Sequence, residues 1–229
     1  MKSIWPILFG LVAFLHLALP GLEMREITLF TKPLLMPLLA AWLMAETGLR
    51  NSFFRNAVLL ALAFSTLGDV LLMFEGGLYF LLGLSAFLVA HLWYIAAFTS
   101  VSGFRNGYLA KQPVLLLPFL IYPLVLFWQL WSGIPAGMKI PVCLYGGVIT
   151  MMALSVMNLK HQLKPSHFLL MLGGAVLFVI SDSLIALSRF GQSFEGAGIA
   201  VMLTYMAGQY LLILSAIRWL KTSESAQKP

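Results

Sequence analysis

Eight runs of apolar residues, at 4–19, 33–45, 57–74, 79–98, 114–131, 141–157, 168–187 and 197–219, alternate with short polar connections along the chain. Most approach the roughly 20 residues that a hydrocarbon core of about 30 Å demands of a helix. The pattern predicts an all-α fold, a polytopic membrane helix bundle of about eight transmembrane helices. The second run is short and holds Pro33 and Pro37, which predicts a tilted or kinked helix, or one that starts early near Ile27. The first run follows Lys2 as a signal peptide would, yet Leu19-Pro20-Gly21-Leu22-Glu23 offers no small-x-small cleavage site, so the run is read as a span.

Composition leaves little room for anything else. Only 10% of residues are charged and 61% are hydrophobic, against roughly 25% charged in soluble domains, and the mean hydropathy is +0.94. Such a chain cannot cover a water-facing surface, so residues 1–220 are expected to form a single transmembrane domain and 221–229 a disordered cytoplasmic tail. The net charge of +6 matters through its distribution. If the N-terminus is cytoplasmic, Lys2, Arg50, Arg55, Arg105, Lys111, Lys160, Lys164, Arg218, Lys221 and Lys228 gather on that side. Arg25, Lys32, Lys139 and Arg189 remain opposite. Both termini are therefore expected in the cytoplasm, with the chain in the inner membrane if the source is bacterial. The basic loops suit anionic membrane lipids. No basic run is interleaved with stacking aromatics, so no nucleic-acid partner is expected. The oligomeric state is left open.

Two aspartates interrupt the pattern, Asp69 in the third run and Asp182 in the seventh. A carboxylate at hydrocarbon depth costs at least about 2.5 to 3.5 kcal/mol on insertion scales. Third and seventh of eight spans run in the same direction, which is compatible with two four-helix halves. Asp69 lies six residues before Glu75 and Asp182 seven before Arg189, which puts both about 9 to 10 Å below the same boundary. Two acids at equal depth can meet, and intramembrane ionisable groups are by default functional. A purely structural alternative is a buried acid neutralised by Lys32 or Arg189, which enter or leave their spans at that boundary, or one protonated and hydrogen-bonded between helices.

Other polar residues follow the same ruler. Tyr205 and Gln209 share a face of the eighth span at i, i+4. His91 stands on a stripe with Gly83, Phe87, Tyr94 and Phe98, about 18 Å deep and so below the acids. No metal or other cofactor is expected: His16, His161 and His167 lack a helical partner histidine, and there is no HExxH or cysteine cluster. The one cysteine, Cys143, excludes an internal disulfide. No GxSxG elbow is present, so Ser65, Ser181 and Ser183 read as helix hydrogen-bonders. Gly76-Gly77, Gly146-Gly147 and Gly173-Gly174 read as turns or close packing.

Together, Thr31-Lys32-Pro33-Leu34-Leu35-Met36-Pro37, Phe64-Ser65-Thr66-Leu67-Gly68-Asp69-Val70-Leu71-Leu72-Met73, Gly83 with Phe87, His91 and Tyr94, Ser181-Asp182-Ser183-Leu184, and Tyr205 with Gln209 resemble the YhhN family of membrane lysoplasmalogenases. The resemblance spans nearly the whole chain. It implies an eight-span ether hydrolase with Asp69 and Asp182 as its catalytic pair, and with Lys32, His91, Tyr94 and Gln209 lining the site. Ser188-Arg189-Phe190 departs from the family pattern, in which Asn precedes the basic residue, and this leaves the role of Arg189 open. The implied substrate is a lysoplasmalogen or related lysophospholipid, whose sn-1 alkenyl ether yields a fatty aldehyde. Lys32 and Arg189 are then expected near the phosphate, and Tyr205 beside the acids. The rival reading is a proton-coupled transporter of a small molecule or lipid, since membrane acids with a histidine also suit a proton relay.

Overall fold

Each of the eight apolar runs becomes a helix in the computed structural model, which describes residues 4–18, 26–48, 52–102 and 107–225. Lys2, Arg25, Arg50, Arg105, Lys228 and the segment 19–23, all used above, lie outside the described residues. The long helices are α1 (Trp5–Ala18), α2 (Ile27–Thr47), α3 (Phe53–Leu71), α4 (Gly77–Ser102), α6 (Leu116–Leu130), α7 (Ala136–Met157), α8 (Pro165–Phe190) and α9 (Ala197–Ser225). A four-residue helix, α5 (Tyr108–Lys111), and a 3-10 turn, Pro113–Leu115, lead into α6. Seven of these segments are long and apolar enough to cross a bilayer, while α1 is shorter at 14 residues. The protein is a multi-pass membrane protein with an all-α fold.

The second span begins at Ile27, well before its prolines, and holds both Pro33 and Pro37 inside a helix. Membrane helices tolerate such prolines because neighbouring groups satisfy the freed carbonyls. Gly48 ends α2 with φ 65°, a conformation that a side chain would strain. At the other terminus α9 continues to Ser225, through residues expected in the tail. Lys221 forms an ion pair with Glu46 of α2, which ties that last stretch down.

The chain divides into two compact units, Met1–Ala97 with Ile213–Pro229, and Phe98–Leu212. In the first, α3 buries Phe54, Ala57, Val58, Ala61, Leu62, Ser65, Gly68 and Asp69. These steps of three and four make one continuous stripe, so Asp69 occupies a core position by register. The stripe of α4 runs through Gly83, Phe87, Ala90, His91 and Tyr94, all buried. A Cβ on Gly68 would come within 2.6 Å of the Phe87 ring, and one on Gly83 within 2.7 Å of Leu72. The missing side chains therefore let α3 and α4 close on each other beside Asp69.

In the second unit α6 packs on α7 and α7 on α8. The backbones of α8 and α9 touch: a Cβ on Gly174 would lie 2.8 Å from the Gly208 carbonyl, and one on Gly208 3.0 Å from that of Gly174. Ser181 donates to the Val201 carbonyl on the same side at 3.0 Å. Asp182, one residue and about 100° further round the helix, instead turns toward α7.

Candidate functional site

In the first unit Asp69 is 2% exposed, and its Oδ1 lies 3.7 Å from the Lys32 ammonium of α2. The Lys32 side chain is 16% exposed. An unpaired charge at this burial would be strongly unfavourable, and the facing ammonium offsets that penalty. Thr31 beside Lys32 donates its hydroxyl to the Ile27 carbonyl at 2.9 Å. The same hydroxyl lies 2.8 Å from His16 Nδ1 in a second hydrogen bond. A short polar chain thus links α1, α2 and α3. His91 and Tyr94 are fully buried on α4, and His91 stands one turn, about 6 Å, beyond the level where Phe87 meets Gly68.

In the second unit Asp182 is half-buried, and Tyr145 of α7 donates its phenol to Asp182 Oδ2. On the next residue, Ser183 accepts from Tyr122 of α6 at 2.9 Å and donates to the Val179 carbonyl at 2.7 Å. A cavity of ≈ 60 Å³ lies against this cluster, walled by Leu126, Leu130, Val142, Tyr145, Ile149 and Asp182 among others. A larger hollow of ≈ 330 Å³ between α6, α7 and α8 adjoins it, with Tyr122, Thr150 and Val179 lining both. Tyr205 packs edge-on against Phe178 with ring centroids 5.5 Å apart, and Gln209 is fully buried one turn further along α9. Arg189 is exposed in the last turn of α8.

The structure brings Lys32 to Asp69 and leaves His91 and Tyr94 on the adjacent helix of that unit. Asp182, Tyr205, Gln209 and Arg189 belong to the other. Tyr145 and Tyr122 escaped the sequence reading because, unlike Tyr94 beside His91 and Tyr205 beside Gln209, neither has a histidine or amide one turn away on its helix. The depth ruler would have found the first: Tyr145 lies six residues past Lys139 as Asp182 lies seven before Arg189, which places them level. Among the described residues no group of three or more metal-ligating side chains forms.

A helical bundle of this kind, with aspartates within its apolar helices, defines a multi-pass membrane protein. The chain belongs to the YhhN family, whose model matches residues 27–216. It is 33% identical over 187 residues to lysoplasmalogenase TMEM86B of Mus musculus, covering 82% of this chain and 73% of that protein. The human lysoplasmalogenase TMEM86B is 30% identical over 177 residues, 77% of this chain and 69% of the relative. Lysoplasmalogenase TMEM86A of Bos taurus is 30% identical over 164 residues, 70% and 65% respectively. No solved structure matches the chain.

Proposed function

We propose that this protein is a lysoplasmalogenase that hydrolyses the sn-1 alkenyl ether of a lysoplasmalogen to a fatty aldehyde and a glycerophosphoethanolamine or glycerophosphocholine. The observation that carries the reading is Asp182, held by Tyr145 at the edge of a hydrocarbon-walled cavity, in a chain related to lysoplasmalogenases. A vinyl ether hydrolyses when its β-carbon takes a proton. The resulting oxocarbenium ion captures water at the α-carbon, and the hemiacetal then collapses to aldehyde and glycerol hydroxyl. The chemistry needs an acid, an anion and a water, a division of labour similar to that of glycosidases.

Asp182 is proposed as the proton donor, with the Tyr145 phenol fixing its carboxyl. Asp69, facing the Lys32 ammonium at 3.7 Å, is proposed as the second acid required for turnover. His91, Tyr94, Tyr205 and Gln209 are proposed as residues that position substrate or water. The lysine and arginine distribution supports both termini in the cytoplasm, and a cytoplasmic-membrane location in a bacterium.

Turnover in D2O tests the chemistry directly. Each aldehyde should gain one deuterium on the carbon beside its carbonyl, the former β-carbon of the vinyl ether. Uptake of unchanged lipid into vesicles without aldehyde would favour the transporter instead.

A further inference from the structure

Lys139 and Arg189 stand on the two helices, α7 and α8, that wall the Asp182 cavity. On α8, Asp182, Ala186 and Arg189 share a face at i, i+4 and i+7; on α7, Lys139 stands one turn from Val142. Ala186, Val142, Tyr145 and Asp182 all line the cavity. Because α7 and α8 pack together across a short connection, they run antiparallel. Lys139 in the first turn of α7 and Arg189 in the last turn of α8 therefore share one end. Both lie about 9 to 10 Å along the helix axes from the Tyr145–Asp182 pair.

Helix stability does not explain Lys139. Arg189 complements the negative end of its helix dipole, whereas a cation in the first turn opposes the positive end. Its ammonium is instead held over the Trp131 ring, 4.2 Å from the centroid, as befits the headgroup level where tryptophan concentrates.

The opposite end is hydrocarbon. The ≈ 330 Å³ hollow reaches the roughly 300 to 1,000 Å³ range of small-molecule sites. Its two hydroxyls are engaged elsewhere, Tyr122 on Ser183 and Thr150 on the Gly146 carbonyl at 2.6 Å. Along α6, α7 and α8 the order is thus cations, carboxyl, apolar groove. A single-chain glycerophospholipid has the same order of phosphate, sn-1 linkage and chain.

We infer that this face of the second unit binds one single-chain phospholipid in fixed polarity, phosphate at Lys139 and Arg189, linkage at Asp182, chain in the hollow. The assignment of the linkage rests on the proposed activity; the binding does not. The probe is therefore a saturated 1-O-alkyl lysophosphatidylethanolamine with a diazirine at the chain end, which lacks the vinyl group, used on the full chain in nanodiscs. Crosslinks are expected on Phe119, Ala153 or Val176, competed by unlabelled lysolipid and not by diacyl lipid. Lys139→Gln and Arg189→Gln should each raise the half-saturating probe concentration about 2- to 5-fold, in keeping with an exposed charge contact. Lys160→Gln, at the other end of the helices, should leave it unchanged. Ala153→Phe should shorten the preferred chain, as should Ile180→Trp, a position already 38% exposed at the groove edge, if the first variant does not fold. Crosslinks on other helices, equal competition by diacyl lipid, or labelling indifferent to both cation variants would overturn the inference. Labelling as expected without aldehyde release would sink the proposed activity and leave the binding site standing. Aldehyde release with crosslinks elsewhere would do the reverse.

Discussion

Asp69 faces an ammonium and Asp182 a phenol, so two acids in equivalent registers have different surroundings. Asp69→Asn and Asp182→Asn should each lower kcat by roughly 10² to 10⁴-fold while the purified protein stays folded, and the double mutant should be no worse than either single, as for groups that act as a unit. Retained turnover in either variant removes that residue from the mechanism. Tyr145→Phe deletes the hydrogen bond to Asp182; a bond to a charged group contributes about 1.5 to 3 kcal/mol, so kcat should fall roughly 10- to 100-fold with KM little changed. Lys32→Gln should lower both kcat and thermal stability, the latter by about 2 kcal/mol, less than the roughly 3 to 5 of a fully buried pair because Lys32 retains some exposure. Adding Asp69→Asn should restore stability without activity; a KM effect alone would return Lys32 to the phosphate. The two aspartates were legible in the sequence because a charge in an apolar run is costly wherever it points. The partners were legible only in part: Lys32 stood as a possible neutralising partner, but depth arithmetic gives a level along the membrane normal and no azimuth, so it read equally well as a phosphate ligand, and Tyr145 was missed.

At the level of elements, apolar runs gave the helices because hydrocarbon leaves backbone groups no partner but their own helix. Their ends were harder to read. The start of α2 at Ile27 was one of the readings its prolines allowed, whereas α9 runs past its apolar part to Ser225, with Lys221 paired to Glu46. Paired glycines gave a mixed signal: Gly174 is a backbone contact, Gly146 faces the Phe127 ring, and Gly76 is a turn at φ 115°. Gly68 is the contact that most directly bears on the site, since its neighbour is Asp69. Gly68→Ala should destabilise the protein by about 1 to 3 kcal/mol, the usual range for overpacking, measured as a shift in thermal unfolding. Trimming the opposing ring with Phe87→Leu should recover part of that loss. Full stability of Gly68→Ala alone would contradict the α3–α4 contact.

Across the whole molecule, the balance of lysine and arginine between the two ends of the spans predicts the orientation that the helices alone leave undetermined. In a Cys143→Ser background, Lys139→Cys should react with a membrane-impermeant maleimide from outside intact cells. Lys160→Cys should react only once the membrane is opened, and the opposite pattern would invert the topology. The functional reading stands on the two acids themselves. The most direct test of that reading is aldehyde release from an sn-1 alkenyl lysophospholipid by the purified wild type, beside Asp69→Asn and Asp182→Asn of matched fold. Stoichiometric aldehyde from the wild type and its loss in both variants is the predicted result; a well-folded wild type that releases none, or variants that release as much, would contradict it.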